Sequence, residues 1–328
     1  MSQPESQPES RPEARPEARF ESGARLVTPP FRSVSPGRIW ALASSTFTQL
    51  VRMKVFYFLF IFSAAVIGAA MLFLDWSFEQ ELKLLKDVSL GAMALFSGIF
   101  AIVGTALLIP KDIDDRTLYT ILSKPVPRFE YLLGKLLGVL ILIAVSLVFM
   151  QVFFSVVLYL RQGQILDQEL ARIRAAPPMG TAPEDIPGLL EETRQVIAAQ
   201  GLNANLLNAT LAIFLKACVM ASVALLLSTF ASSTLFTIIS ALAIYIIGHF
   251  QGLARDYFLA GDAEGAARVL AVLVAIIFPD FKAFDIVDDV VSGQIIPARI
   301  MLEMAGFAAF YFIVYNLAAW FVFSDKEL

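Results

Sequence analysis

The chain is 328 residues long, 58% hydrophobic and only 16% charged, with a mean hydropathy of +0.71. Soluble domains are about half apolar and a quarter charged, so this composition describes an integral membrane protein. A net charge of −4 without a basic patch excludes nucleic acid as the partner, and a single cysteine (Cys218) with a single histidine (His249) leaves no material for an intrachain disulfide or a His/Cys catalytic or metal cluster.

Residues 1–38 hold a near-repeat, Q-P-E-S twice and then R-P-E-A twice. Such a Pro/Glu/Ser/Arg composition buries too little apolar surface to offset chain entropy, so a disordered tail is expected. The first apolar run begins only near Val55, which does not fit a signal peptide, and that run is expected to stay as a span. Between them, Ile39, Trp40, Leu42, Ala43, Phe47, Leu50 and Val51 recur at three- and four-residue steps, flanked by Arg38, Arg52 and Lys54. This predicts an N-terminal helix lying in the membrane interface.

A spanning helix needs about 20 mostly apolar residues. Stretches 55–74, 88–109, 132–159, 206–227 and 300–323 meet this, and 235–250 is slightly short but follows a Ser/Thr-rich turn. The run 269–278 stops at Pro279, and apolar positions then alternate with Asp280, Asp285, Asp288 and Asp289. The expected fold is therefore an all-α integral membrane protein over 39–328, with six transmembrane helices and a re-entrant helix pair before the last span. The four aspartates fit no calcium-loop spacing and read as a solvated helix face.

Orientation follows from basic residues near the span ends. Placing Arg38, Arg52, Lys54, Lys111, Arg116, Lys124, Arg128 and Lys135 inside puts both termini in the cytoplasm, in an inner cell membrane. Segment 161–205 then lies outside, divided by Pro177, Pro178 and Pro183 into two charged helical pieces. Lys216 and His249 read as residues at the outer interface, where a long or amphipathic side chain reaches water.

The segment between the second and third spans, KDIDDRTLYTILSKPVPRFEYLLGK from Lys111 to Lys135, is more elaborate than a connection requires. Asp112, Asp114 and Asp115 suit the positive end of a helix dipole, Leu118 and Leu122 stand one turn apart, and Pro125 and Pro127 stop the helix. Gly134 and Gly138 form a small-xxx-small pair at the base of span three, which admits a close helix neighbour or merely relieves crowding.

The string from Asp115 to Gly138, DRTLYTILSKPVPRFEYLLGKLLG, resembles the permease subunits of type-2 ABC exporters, in particular the branch encoded with nitrous oxide reductase maturation genes. The matching positions are Thr117, Leu118, Leu122, Ser123, Lys124, Pro125, Val126, Arg128, Glu130, Gly134 and Lys135. Arg116 stands where many relatives carry glycine. The resemblance implies a cytoplasmic coupling helix, with Asp115, Arg116, Thr117, Leu118, Leu122, Lys124, Pro125, Arg128 and Glu130 forming the ATPase-coupling loop. It also implies an ABC ATP-binding subunit and a second permease copy, in a homodimer or a heterodimer with a related subunit, as partners beside the lipid bilayer.

No G-x-x-x-x-G-K-[ST] motif occurs, so the chain is expected to be no enzyme itself, to bind no cofactor directly and to draw on ATP through its partner. A gradient-driven transporter or channel and a non-transporting membrane anchor are the competing readings. The first usually carries buried midplane charges or internal repeats, and neither stands out here.

Overall fold

The computed structural model describes residues 35–69, 78–114, 127–177, 185–231, 233–260 and 277–325. Among them every regular element is helical, and Ser35–Leu328 forms one unit. Five helices are long and apolar enough to cross a membrane, or six if one bent pair counts as a single span. The protein is a multi-pass membrane protein.

Helix α1 (Pro36–Val51) opens with proline in its first turn, where the fixed φ is helical and the missing amide would have been unpaired anyway. It takes in Pro36, Gly37 and Arg38, which the sequence pattern assigned to the tail. The chain breaks at Arg52–Met53 and turns by 69° into α2 (Lys54–Ala69). Along α2, Phe56 faces inward onto Phe96 and Phe100 of α3 (Phe78–Ala106), while Phe58 and Phe62 point outward and stay exposed.

A one-residue interruption at Leu107 separates α3 from α4 (Leu108–Asp114). Pro110 accounts for it, because a proline inside a helix lacks the amide that would bond the carbonyl four residues back and its ring crowds that carbonyl. Asp112 and Asp114 thus fall in the last turn of a helix. The sequence pattern had placed them in the first turn of a new one, and any helix beginning at Asp115 lies outside the described residues.

Helix α5 (Arg128–Ala175) runs for 48 residues without a break, starting directly after Pro127. At 1.5 Å per residue it is about 72 Å long, more than twice a hydrocarbon core of about 30 Å. Its second part therefore projects beyond the bundle, and α6 (Ile186–Gln200) folds back along it to bury Ile165, Ile173 and Ile197. Gln162 donates to the carbonyl of Ile197 at 3.2 Å, which fixes the register of this hairpin.

Helix α7 (Asn205–Phe230) is the centre of the bundle and touches α3, α4 and α5 as well as the long helices that follow it. Its buried positions include Ala209, Ala212, Ala217, Ala221, Ser222, Ala224 and Ser228, and such small side chains let helix backbones approach closely in a membrane. Helix α8 (Thr234–Ala260) packs against it, with an apolar stretch from Thr234 to Gly252. A short 3₁₀ turn, Phe281–Phe284, is capped by Asp280, whose Oδ1 accepts from Lys282 N at 3.0 Å. Gly248 of α8 makes room for this turn: a Cβ there would sit 2.5 Å from the Pro279 carbonyl oxygen.

After α9 (Val287–Val291), helix α10 (Ala298–Ser324) returns along α7. Asn205 at the head of α7 holds the connection in place, donating to the Gln294 carbonyl at 2.8 Å and accepting from Ile296 N at 3.3 Å. Large apolar side chains stay exposed along α5 (Val148, Phe149, Val152), α8 (Leu235, Ile239, Ile246) and α10 (Phe310, Ile313, Phe321). Surfaces of this kind belong against lipid or a partner.

Candidate functional site

Of the expected coupling-loop residues, Asp115, Arg116, Thr117, Leu118, Leu122, Lys124 and Pro125 lie outside the described residues. Arg128 and Glu130 are described, and both belong to a collar that grips the two stems of the loop. The end of the bundle that carries this loop is called the loop end below, and the opposite one the hairpin end.

The stems are locked to one another by α4 and α5. Asp112 Oδ2 receives the Tyr131 hydroxyl at 2.6 Å and lies 2.7 Å from Lys135 Nζ. Both charged side chains are nearly inaccessible, at 4% and 6% exposure. In such surroundings an ion pair holds geometry strictly, because separating the partners strands a charge away from water. Lys135 also reaches Gln49 Oε1 on α1 at 3.4 Å.

Glu130 ties the second stem to α1. Its carboxylate is completely buried and accepts hydrogen bonds from Ser35 N at 2.9 Å, Arg38 Nε at 2.6 Å and Arg38 Nη2 at 2.7 Å. The guanidinium thus meets both oxygens in a fork, the charge-assisted geometry that fixes orientation as well as distance. Below this fork, Gly134 and Gly138 seat α1 directly on α5. A Cβ at Gly134 would stand 2.6 Å from Leu42 Cβ, and one at Gly138 would stand 2.7 Å from the Ala43 carbonyl oxygen. The four-residue step between the glycines is answered by the four-residue step from Leu42 to Thr46, so the small-xxx-small face is a helix seat and its occupant is α1.

Arg128 ties the same stem to the last helix. Its Nη1 donates to the carbonyls of Phe323 at 2.8 Å and Ser324 at 2.6 Å, and its guanidinium lies 5.9 Å from the Phe323 ring centre. A cation at a helix C-terminus satisfies carbonyls left unpaired there and meets the negative end of the dipole. Tyr131 stacks on Phe323, and Phe129 meets Trp320 edge-on, so the aromatic contacts repeat the link. Four helices, α1, α4, α5 and α10, are therefore joined within eight residues of chain.

Asp112, Tyr131, Lys135 and Arg38 were not singled out by the sequence as members of a site. An acid at the end of one span and a lysine just inside the next is a signal that could have paired Asp112 with Lys135. No local pattern pairs Arg38 with Glu130.

A second polar group sits deeper between α7 and α8. Lys216 Nζ lies 3.0 Å from His249 Nε2 and 5.6 Å from the centre of the Tyr245 ring. The sequence treated Lys216 and His249 as separate residues of an interface, whereas the crossing of the two helices makes them partners. Among the described residues no group of three or more His, Cys, Asp or Glu side chains could hold a metal ion. Asp285, Asp288 and Asp289 are exposed, and Asp280 serves as the cap of the 3₁₀ turn.

Residues 40–254, well over half of the chain, match the family model described as ABC-2 family transporter protein. The chain belongs to the ABC-2 transporter family. Its members are the membrane components of ABC systems, the permeases, and not themselves the ATPases, so an ABC ATP-binding partner is implied in general. Among curated proteins, none matches the chain. The family match begins within α1 and ends within α8, so it contains the loop, both of its stems and the α5–α6 hairpin.

Proposed function

We propose that this chain is the membrane-spanning permease subunit of an ATP-binding cassette exporter, in which a separate ATP-binding subunit seats on the 115–126 segment and works the bundle through it. The observation that carries this reading is the collar. A loop that only joined two spans would need no buried Asp112–Lys135 pair beneath it and no charged fork to α1.

With the stems locked together, displacement of the loop moves α4 and α5 as one body and carries α1 and the C-terminal end of α10 with them. Small shifts spread in this way when packed elements have discrete arrangements rather than a continuum. The expected assembly has two permease copies and two ATP-binding subunits in an inner cell membrane, with the loop end in the cytoplasm. In it α1, with its exposed Trp40, runs alongside the loop-end part of α5, and the chain turns by 69° beyond it into α2. The finer resemblance of 115–138 to the branch encoded with nitrous oxide reductase maturation genes supports the same role.

The test replaces Leu118 and Leu122 together with Asp in the full chain co-expressed with its ATP-binding partner. Co-purification and transport are expected to fall at least tenfold while the permease still inserts. Unchanged co-purification and transport would overturn the docking role. The permease purified alone is expected to hydrolyse no ATP above a buffer blank.

A further inference from the structure

We propose that the hairpin end carries a binding site for a phosphate-bearing anion, built around Lys86. A cavity of about 420 Å³ opens there between the first turns of α3, the end of α6 and the turn that follows α9. Lys83 and Lys86 line it from one side, Gln200 from another, and Ser292 and Gly293 from a third.

Lys86 is only 3% exposed and, among the described residues, has neither an ion-pair nor a hydrogen-bond partner. That is unusual, since a lysine is almost never buried unless its ammonium is paired. Among the described side chains, neither nearby carboxylate on α3 supplies the counter-charge. Glu81 lies against Arg161 at 3.4 Å, and Asp87 is exposed on the adjoining face of the helix. Ser89, one turn further along the face of Lys86, has a buried hydroxyl that also makes no hydrogen bond.

The remaining lining supplies what an anion needs. Lys83 precedes Lys86 by one helical turn and is exposed, so two ammonium groups flank the recess at different depths. Ser292 adds an exposed hydroxyl. Gly293 has φ +86°, a left-handed conformation that disfavours any residue with a Cβ, so no side chain narrows the rim there, while its amide is held by the Val290 carbonyl. Two cations and a hydroxyl match the several acceptor oxygens and the extra charge of a phosphate better than the single charge of a carboxylate. The phosphate can arrive as a lipid headgroup or from solution, and the chemistry at Lys86 is the same.

The experiment uses the full-length protein with two probes and stands apart from the ATPase-coupling role, because it reads binding alone. In nanodiscs that mix phosphatidylglycerol with phosphatidylcholine, lipid retained on the protein is identified by native mass spectrometry. In detergent, the melting midpoint is followed against inorganic phosphate, with chloride at equal ionic strength as the control. Lys86→Met removes the charge while keeping much of the volume, and Lys86→Gln serves as a second variant.

Selective retention of phosphatidylglycerol that falls at least tenfold in Lys86→Met assigns the site to a lipid headgroup. A midpoint rise with phosphate that vanishes in the same variant assigns it to a soluble anion. Lys83→Gln is expected to weaken either effect by a smaller factor. Binding of neither probe to the wild-type protein, or binding that both Lys86 variants retain in full, overturns the proposal.

Discussion

At the level of single residues, Asp112 decides how firmly the loop is held, since it accepts from both a tyrosine and a lysine on the opposite stem. Replacing it with Asn leaves Lys135 buried without its counter-charge, and breaking a buried pair from one side costs about 3 to 5 kcal/mol. Asp112→Asn is therefore expected to lower stability by about 3 kcal/mol, and adding Lys135→Met is expected to recover more than half of the loss. A thermal-melt double-mutant cycle reads this directly, and simple additivity of the two changes would refute the coupling. Gly138 gives a second case, because Leu at this position would push against Thr46 and the Ala43 backbone carbonyl, which cannot swing aside. Overpacking of this kind costs about 1 to 3 kcal/mol. Gly138→Leu is expected to loosen α1 from α5, seen as faster proteolysis after Arg38 and Arg52, whereas Gly98→Leu, where a Cβ meets nothing, serves as the tolerant control. The glycine pair was visible in the sequence, but small-xxx-small names a face and not its occupant. Arg38 and Glu130 stand 92 positions apart, and only the seating of α1 brings them together.

Among the elements, helix content was legible because about 20 consecutive apolar residues in lipid leave the backbone no alternative to internal hydrogen bonding. Helix ends were less so. The apolar run of the third span stops near Tyr159, yet α5 continues to Ala175, because no proline stands between them and α6 supplies an apolar partner for Ile165 and Ile173. Hydropathy marks where the lipid ends and says little about where the helix does. The α5–α6 hairpin should then be a distinct stability unit, held by few buried side chains. Ile197 is fully buried in it, and truncating a buried isoleucine to alanine costs about 2 to 5 kcal/mol. Ile197→Ala is expected to raise amide exchange of α6 and of α5 beyond Arg161 while leaving α7 unchanged. Equal acceleration in α7 would mean that the hairpin and the bundle open together. The Lys216–His249 contact belongs to this scale too, since it follows from the crossing of α7 and α8 and from no local spacing.

For the whole molecule, orientation has a physical handle in the distribution of charge and in a single cysteine. The loop end gathers Arg38, Arg128 and Lys135, whereas the projecting hairpin carries acidic and basic residues together. Basic residues close to span ends are retained in the cytoplasm, while long segments cross with little regard to charge. The collar should therefore face the ATP-binding partner inside, and the hairpin should project outside. Cys218 is the only thiol in the chain, so Cys218→Ala gives a clean background for labelling. In it, Leu202→Cys, exposed beside the end of α6, is expected to react with a membrane-impermeant maleimide in intact cells. Trp40→Cys, exposed on α1, is expected to react only after permeabilisation. The reverse pattern would place the loop where no cytoplasmic ATPase could reach it, and the coupling role would fall with the topology. Labelling of both positions in intact cells would mean that the two ends are not separated by a membrane, contrary to the exposed apolar surfaces of α5, α8 and α10.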